Sequence, residues 1–518
     1  MSTNLLALLP ELILALTGVL VMLFEPLIAP GRTRKPLGWL AILGTTASGL
    51  AALYQLHVVD TLRPSTGILS TLPASGQLTA FSGTIQVSAF SVFFHLLIAS
   101  IVLVTLLASL DYFEDPITHA GEYFALVCFG ATGMMFMTCS VELLMVFVGL
   151  EISSISTYIL AGFRKGQASA SESSLKYFLL GSFATAFFLY GIALCFGATG
   201  STSIGAIATG LNTTATPMLA ILAVAMVLIG LGFKVSAAPF HVWTPDVYQG
   251  APAPVVAMMS TGPKAAAFAV LLRFLFNGTP MLRGHWILMV EILAILSMTI
   301  GNLGALLQRD VKRLLAYSSI AHAGYLLVAF TGVQHDAISG ALFYTAAYAA
   351  MNVGAFLVLA QLSGFNEPLR TIDDFTGIAL KRPFLAALLS FFLLSLIGIP
   401  FTGGFFGKFY AFSGAIHNGY IGLAIFGLAN SGVACFYYLR LMVALYSRPV
   451  TEPAISVRTG KLSFPAAIAV TAAALATLAL GIAPNCILHL VQSATPQTLP
   501  AYVSVPTAST LQPPPPTP

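Results

Sequence analysis

Lys176, Lys234, Lys264 and Lys408 each interrupt an otherwise apolar run of the sequence. An ammonium at the centre of a bilayer costs at least ~2.5–3.5 kcal/mol on insertion scales, so a lysine kept there marks an ion path or a proton relay. A long side chain can snorkel to the interface. Lys264, however, lies about eleven residues, or ~16 Å, from either end of its run, beyond the reach of such a stem. Glu151 is a mid-run carboxylate and pairs most simply with Lys234; Glu142, nine residues earlier, falls about 13.5 Å away on the opposite helix face and reads as interfacial or structural. Desolvation favours a neutral amine and a nearby carboxylate favours the ammonium, so a Glu–Lys pair whose spacing changes takes up and releases a proton. His322 adds a mid-depth imidazole that relays a proton or merely bonds a neighbouring carbonyl, and His241, beside Pro239, is a relay group or a structural donor. Glu11 and Glu291 suit partner-subunit contact as well as conduction, and Arg273 and Arg440, near run ends, suit anchoring.

Other chemistries lack their residues. There is no Gly-rich phosphate loop, no local Cys/His metal spacing and no nucleophile elbow, and the five cysteines, Cys128, Cys139, Cys195, Cys435 and Cys486, form no C-x-x-C pair. The expectation is a chain with no cofactor, no metal and no nucleic acid of its own, and no redox chemistry on this chain alone.

The elements that must carry these groups are membrane helices. Of 518 residues 57% are hydrophobic and 8% charged, against roughly 25% charged in soluble domains. About 20 apolar residues cross a ~30 Å hydrocarbon core. Fourteen runs qualify: 5–24, 37–57, 89–109, 121–139, 141–163, 173–197, 217–236, 253–276, 285–307, 313–333, 337–362, 384–416, 420–446 and 463–484. The first has no basic n-region and reads as a mature helix. Loops after odd-numbered spans hold fourteen lysines and arginines, among them Arg32, Arg164, Lys312 and Arg382, whereas loops after even spans hold only Arg63 and Arg283. Basic loops face the cytoplasm, which predicts both termini outside, with the acidic 111–122 loop departing from the pattern.

Self-similarity recurs at an offset of 167 residues: Tyr158 with Tyr325, Tyr177 with Tyr344, Arg273 with Arg440. The shift moves five spans, an odd number, so the copies are inverted, as in transporters. Spans 7 and 12 carry helix breakers, Pro239 in one and Pro400, Gly403 and Gly404 in the other, so a lysine stands beside each break. The predicted fold is an all-α polytopic membrane protein of about 14 transmembrane helices, with two inverted five-helix repeats, spans 4–8 and 9–13, and broken helices 7 and 12. Its parts are a three-helix region (1–120), two repeats (121–276 and 285–446), a C-terminal helix (447–495) and a disordered Pro-rich tail (496–518).

The string Lys234-Val-Ser-Ala-Ala-Pro-Phe-His-Val-Trp-Thr-Pro-Asp-Val-Tyr-Gln-Gly-Ala-Pro-Ala-Pro254 closely resembles the subunit N family of bacterial NADH:quinone oxidoreductase, respiratory complex I. Gly149-Leu-Glu151, Leu175-Lys176-Tyr177, the 311–325 stretch ending Ser-Ser-Ile-Ala-His-Ala-Gly-Tyr325 and Gly403-Gly-Phe-Phe-Gly-Lys408 extend the likeness over spans 4–13. Pro263, directly before Lys264, stands out in that pattern and bears on the local helix geometry. The resemblance implies an antiporter-like proton channel in a bacterial cell inner membrane. Glu151 and Lys234 would be its input pair, Lys264 its central site and Lys408 its outlet, with Lys176 and His322 between or beside them. It implies partner subunits, membrane and peripheral, including sister antiporter-like subunits, that hold NADH, FMN, iron–sulfur clusters and quinone. The competing reading is a subunit of a multisubunit cation/proton antiporter, which shares the lysines and broken helices.

Overall fold

The computed structural model describes residues 3–29, 31–61, 76–113, 120–212, 216–332, 334–448, 462–485 and 488. The Pro-rich tail at 496–518, Arg63, Arg458, Lys461 and Cys486 lie outside the described residues. Thirteen helices among the described residues are long and apolar enough to cross a membrane. Spans 1–3 are Leu9–Leu27, Lys35–Thr61 and Ala89–Ser109; spans 4–8 are Ala120–Cys139, Leu143–Ala161, Ala168–Thr199, Pro217–Val235 and Ala253–Gly278. Spans 9–11 are Pro280–Leu307, Val311–Thr331 and Ala337–Ser363, and spans 13 and 14 are Ile421–Tyr446 and Phe464–Ile482. Span 12 is the fourteenth, delivered as two half-helices, Pro383–Ile397 and Gly403–His417. One element departs from the all-helical expectation: between spans 2 and 3, Leu78–Ala80 pairs antiparallel with Ile85–Val87, Thr79 opposite Gln86.

Burial locates the centre. Span 8 is 100% buried and spans 10 and 11 are 94% buried, against 33% for spans 1, 6 and 13. The first three pack at the heart of the molecule, and the others turn an apolar flank outward.

The two repeats are written in the same bonds. Glu142 caps span 5 by accepting from Met145 N at 2.9 Å, and 168 residues on Asp310 caps span 10 by accepting from Arg313 N at 2.9 Å. Short bridges join Glu142 to Ser203 and Asp310 to Thr371, again 168 apart. A Cβ on Gly133 would lie 2.5 Å from Ser153 N, and one on Gly301 2.5 Å from Ala321 N, so glycine brings span 4 against span 5 and span 9 against span 10 in the same way. Arg273 donates to Ser140 O at 2.7 Å, and Arg440 to Leu306 O and Gln308 O at 3.1 and 2.6 Å. Each guanidinium covers the carbonyl end of the first helix of its repeat. The 167-residue offset is not free of gaps: it is 168 from Gly133 to Ser153, 167 at Tyr158 and Tyr177, 168 again at Ser203 and 167 at Arg273, so single-residue length differences separate the two copies.

Loops after odd spans share one face. Lys35 pairs with Asp111, and Arg164 reaches Glu367 at 2.9 Å, joining the loops after spans 1 and 3 and those after spans 5 and 11.

Candidate functional site

Span 7 ends at Val235 with Ser236 in the left-handed region, and its second half, Thr244–Gly250, starts eight residues later, beyond a cis Ala238–Pro239 bond. Pro239 thus lies in the gap. In span 12 the gap is Gly398–Thr402, with Gly398 at φ 95° and Pro400 inside it. Gly403 and Gly404 do not loosen the chain as expected; they form the first turn of the second half, where a Cβ on Gly404 would meet Ser395 O at 1.8 Å. A third break went unread. Span 8 is interrupted at Ser260–Thr261, and a new helix begins at Gly262, with Pro263 in its first turn, where a missing N–H costs nothing.

Each break sets a lysine inside the protein. Lys234 and Lys264 are 3% exposed and Lys408 6%, so none of them snorkels to a surface. Lys234 Nζ donates to Ser154 Oγ at 2.9 Å and faces the Tyr177 and Tyr158 rings at 5.8 and 5.9 Å. The expected Glu151–Lys234 ion pair is not closed. Glu151 is half-buried on span 5 and acts on Lys234 through space, while the hydroxyl three residues along the same helix takes the ammonium.

Lys264 Nζ donates to Ser319 Oγ at 2.5 Å, and the Tyr348 hydroxyl donates to the same oxygen at 2.7 Å. His322 follows Ser319 on span 10. Its Nδ1 meets the Tyr344 hydroxyl at 2.9 Å and its Nε2 the Tyr438 hydroxyl at 3.4 Å, and the imidazole stands within electrostatic reach of both Lys264 and Lys408. Lys408 Nζ donates to Leu396 O, Ile397 O and Ser431 Oγ at 3.1, 2.8 and 2.7 Å and lies 4.9 Å from the Tyr325 ring. Tyr158 and Tyr325 are repeat mates, so Lys234 and Lys408 occupy corresponding places over corresponding rings. The dipoles differ around the cations. Lys264 sits in the first turn of a helix, the positive end, whereas Lys408 caps carbonyls at a helix end, the negative one.

Tyr248, from the Asp-Val-Tyr-Gln-Gly stretch, fills the interval between the first two lysines. Its buried hydroxyl lies beside the Ser319 hydroxyl that holds Lys264, and it interacts through space with Tyr348 on that side and with Tyr177 on the Lys234 side. The sequence singled out none of Ser154, Ser319, Ser431 or Tyr248. Hydroxyl residues carry little penalty in apolar helices and leave no mark.

Two candidates stand off this line. Lys176 is 41% exposed and tied to Glu172 at 2.6 Å and Asp246 at 2.7 Å; Asp246 also receives Arg313 at 2.5 Å. These pairs moor the second half of span 7 to spans 6 and 10. His241 lies half-buried in the span-7 gap; among the described residues its Nδ1 has no partner and no hydrogen bond joins it to a lysine.

A buried carboxylate holds the basic face together. Glu367 is 4% exposed and accepts from Tyr112 Oη at 2.7 Å, Ala253 N at 2.5 Å, Arg164 Nη1 at 2.9 Å and Lys312 Nζ at 2.7 Å. Burial alone would push its carboxyl up, but the Lys312 ammonium and the Arg164 guanidinium outweigh that and hold it below the usual range. Arg164 and Lys312 also donate to Gly250 O and Ala251 O at 2.7 and 2.6 Å, so the cluster clasps the link between spans 7 and 8.

Residues 140–434 match the family described as NADH:quinone oxidoreductase/Mrp antiporter, TM. The chain is 50% identical to NADH-quinone oxidoreductase subunit N 2 of Koribacter versatilis, over 92% of this chain and 94% of that protein. Among solved structures it is similar to a chain of respiratory complex I from Thermus thermophilus, with TM-score 0.76 and 35% identity, covering 93% of this chain and 99% of the other. It also shares its fold with a chain of the Mrp complex of a Dietzia species, with TM-score 0.81 and 20% identity over 96% and 97% of the two chains.

Proposed function

Because the chain belongs to the NADH-quinone oxidoreductase subunit N family, we propose that its buried lysines carry protons through the membrane arm of that complex. The protein is a multi-pass subunit of a respiratory, proton-translocating NADH:quinone oxidoreductase. The observation that supports the path is the set of buried lysines Lys234, Lys264 and Lys408, each held by a serine hydroxyl at 2.9, 2.5 and 2.7 Å, with the His322 imidazole between two tyrosine hydroxyls at 2.9 and 3.4 Å. Glu151 and Lys234 form the input, with Ser154 holding the ammonium while the carboxylate acts through space. The proton passes by way of Tyr177 and Tyr248 to Lys264 and Ser319, then through His322 with Tyr344 and Tyr438 to Lys408. Lysine in the first turn of a broken helix is poorly held as a cation and gives up its proton when a neighbour moves; lysine on helix-end carbonyls is well held and serves as a store. Lys176 and His241 serve the entrance, Lys176 by fixing the second half of span 7.

The membrane is the bacterial inner membrane, with the basic loops cytoplasmic and both termini periplasmic. The partners include sister antiporter-like subunits, and NADH, FMN, iron–sulfur clusters and quinone reside on other subunits. The organisation 1–120, 121–276, 285–446, 447–495 and 496–518 describes the chain's parts. The shared Mrp fold favours a second reading, a cation/proton antiporter subunit, but 20% identity there against 50% here sets it behind.

The test is Lys264→Ala and Lys264→Arg in the assembled complex in sealed vesicles. Alanine removes the titrating group and arginine keeps a charge that hardly releases its proton. Both lower proton uptake and quinone reduction by about 10²-fold or more, the low end of proton-transfer catalysis. Unchanged pumping by the alanine variant at normal assembly makes Lys264 structural and sends the path elsewhere.

A further inference from the structure

Outside the lysine line, three side chains from spans 1, 3 and 4 converge in a second buried cluster. Glu11 is 3% exposed, and His95 and Cys139 are fully buried. His95 Nε2 lies 3.2 Å from Glu11 Oε1 and 3.3 Å from Met135 O, and Cys139 Sγ lies 3.4 Å from Glu11 Oε1. One ligand atom from each of the three lies within 4.8 Å of the others. Two atoms of the cluster, Glu11 Oε2 and His95 Nδ1, are buried with no hydrogen-bond partner among the described residues. A half-satisfied polar cluster in an apolar interior is costly, and neither the proton line nor the Glu367 clasp uses it.

We propose that Glu11, His95 and Cys139 bind a divalent transition metal of the zinc class. Thiolate, imidazole and carboxylate are zinc's donor set. Bonds of about 2.3 Å to sulfur and 2.0–2.1 Å to nitrogen or oxygen give tetrahedral edges of roughly 3.3–3.6 Å; the two contacts to Glu11 Oε1 lie at 3.2 and 3.4 Å. A divalent cation, a thiolate and a carboxylate sum to zero among themselves, and the Arg273 guanidinium, donating to Ser140 O at 2.7 Å and lying over the Phe90 ring at 5.1 Å, adds one positive charge beside the site. Met135 O already accepts from Thr138 Oγ1 at 2.7 Å, so it stays satisfied when His95 turns its lone pair to metal. Binding releases the cysteine proton and fixes spans 1 and 3 to span 4, the first helix of the first repeat. The proposed site departs from the expectation of no metal, which rested on spacing along the sequence; these ligands stand 84 and 44 residues apart.

The test uses the full chain in detergent with zinc as the probe, beside Cys139→Ser and the double variant Glu11→Gln/His95→Gln. The wild type retains one zinc per chain after dialysis and melts at higher temperature with zinc than without. X-ray absorption gives one sulfur neighbour at about 2.3 Å. Cys139→Ser loses the sulfur neighbour, and the double variant binds zinc at least about tenfold more weakly, a difference of about 1.4 kcal/mol. Wild type that retains no zinc, or zinc with no sulfur neighbour, or the same zinc content in all three proteins, overturns the proposal and leaves a Glu–His hydrogen bond. The absorption measurement on the wild type decides even where a variant fails to fold.

Discussion

A buried lysine is legible because a charge in apolar sequence is improbable without a use; a buried tyrosine is not. Tyr248 is where that difference matters most, since its hydroxyl stands beside Ser319 on the Lys264 side and within reach of Tyr177 on the Lys234 side. Tyr248→Phe removes one oxygen and keeps the ring against Trp243, centroids 6.1 Å apart. Proton pumping falls about 10²-fold, the weak end of a lost relay group, while the complex assembles at normal yield; equal pumping rates in vesicles remove Tyr248 from the path. Glu367 supports a different prediction. Its carboxyl lies below the usual range in the folded state, so the stability it gives is present above its unfolded value of about 4.3 and is lost as pH falls through the folded value. Glu367→Gln leaves Arg164 and Lys312 facing a neutral group, a change that costs about 3–5 kcal/mol when a buried pair is broken. The variant melts lower than wild type at neutral pH, and the gap narrows in acid below about pH 4. A constant gap across that range rules out the carboxylate as the cause.

Helices decide whether these side chains meet. The breaks in spans 7 and 12 were legible because proline and glycine sit beside a lysine in each. The break in span 8 was read through, since Ala253–Met259 and Gly262–Arg273 are apolar on both sides and hydropathy does not register a two-residue interruption. Pro263 was the local sign. Glu367 carried no sign at all: a carboxylate beside Pro368 and Arg370 looks like any loop residue. Only the fold brings it to Arg164 and Lys312. Gly403 and Gly404 have the composition of a helix breaker but serve close approach between the half-helices, which is a property of the partner, Ser395, and not of the glycines. That contact is testable within one helix. Gly404→Ala drives a methyl into a backbone carbonyl and costs on the order of 1–3 kcal/mol, lowering the melting temperature and weakening the Lys408 contacts to Leu396 and Ile397. Gly414→Ala, in open space on the same half-helix, leaves both unchanged. Equal melting of the two variants shows that the halves of span 12 yield freely.

At the scale of the molecule, the inverted repeat places corresponding structures on opposite faces, with the most buried spans between them. The Glu142 cap and the Asp310 cap mark opposite ends of the same design. Which face is inside follows from the basic loops. A cysteine at Thr33, and in a second protein one at Gln167, reacts with a membrane-impermeant maleimide only after the cytoplasmic face is opened. Reaction of either in sealed, right-side-out vesicles reverses the topology. Much of this plan was legible: span number and inversion follow from hydropathy and an odd shift, and loop charge supplies the orientation that the labelling tests. Of the residues the sequence singles out, Lys234, Lys264, Lys408 and His322 come together in the buried interior and Lys176 does not; the groups between them are neutral and come from spans far apart in sequence, so they leave no mark in it.

The Glu367 clasp has a consequence for how the chain is made. Arg164 and Lys312 leave the ribosome before the carboxylate that neutralises them, and Ala253, whose amide the same carboxylate receives, precedes it by 114 residues. Until the loop after span 11 emerges, the clasp on the link between spans 7 and 8 has its two cations, bonded to Gly250 O and Ala251 O, but not the carboxylate between them. Chains truncated before Glu367 are expected to be cut at that link by added protease where the full chain is not. The last ligand to arrive closes the whole.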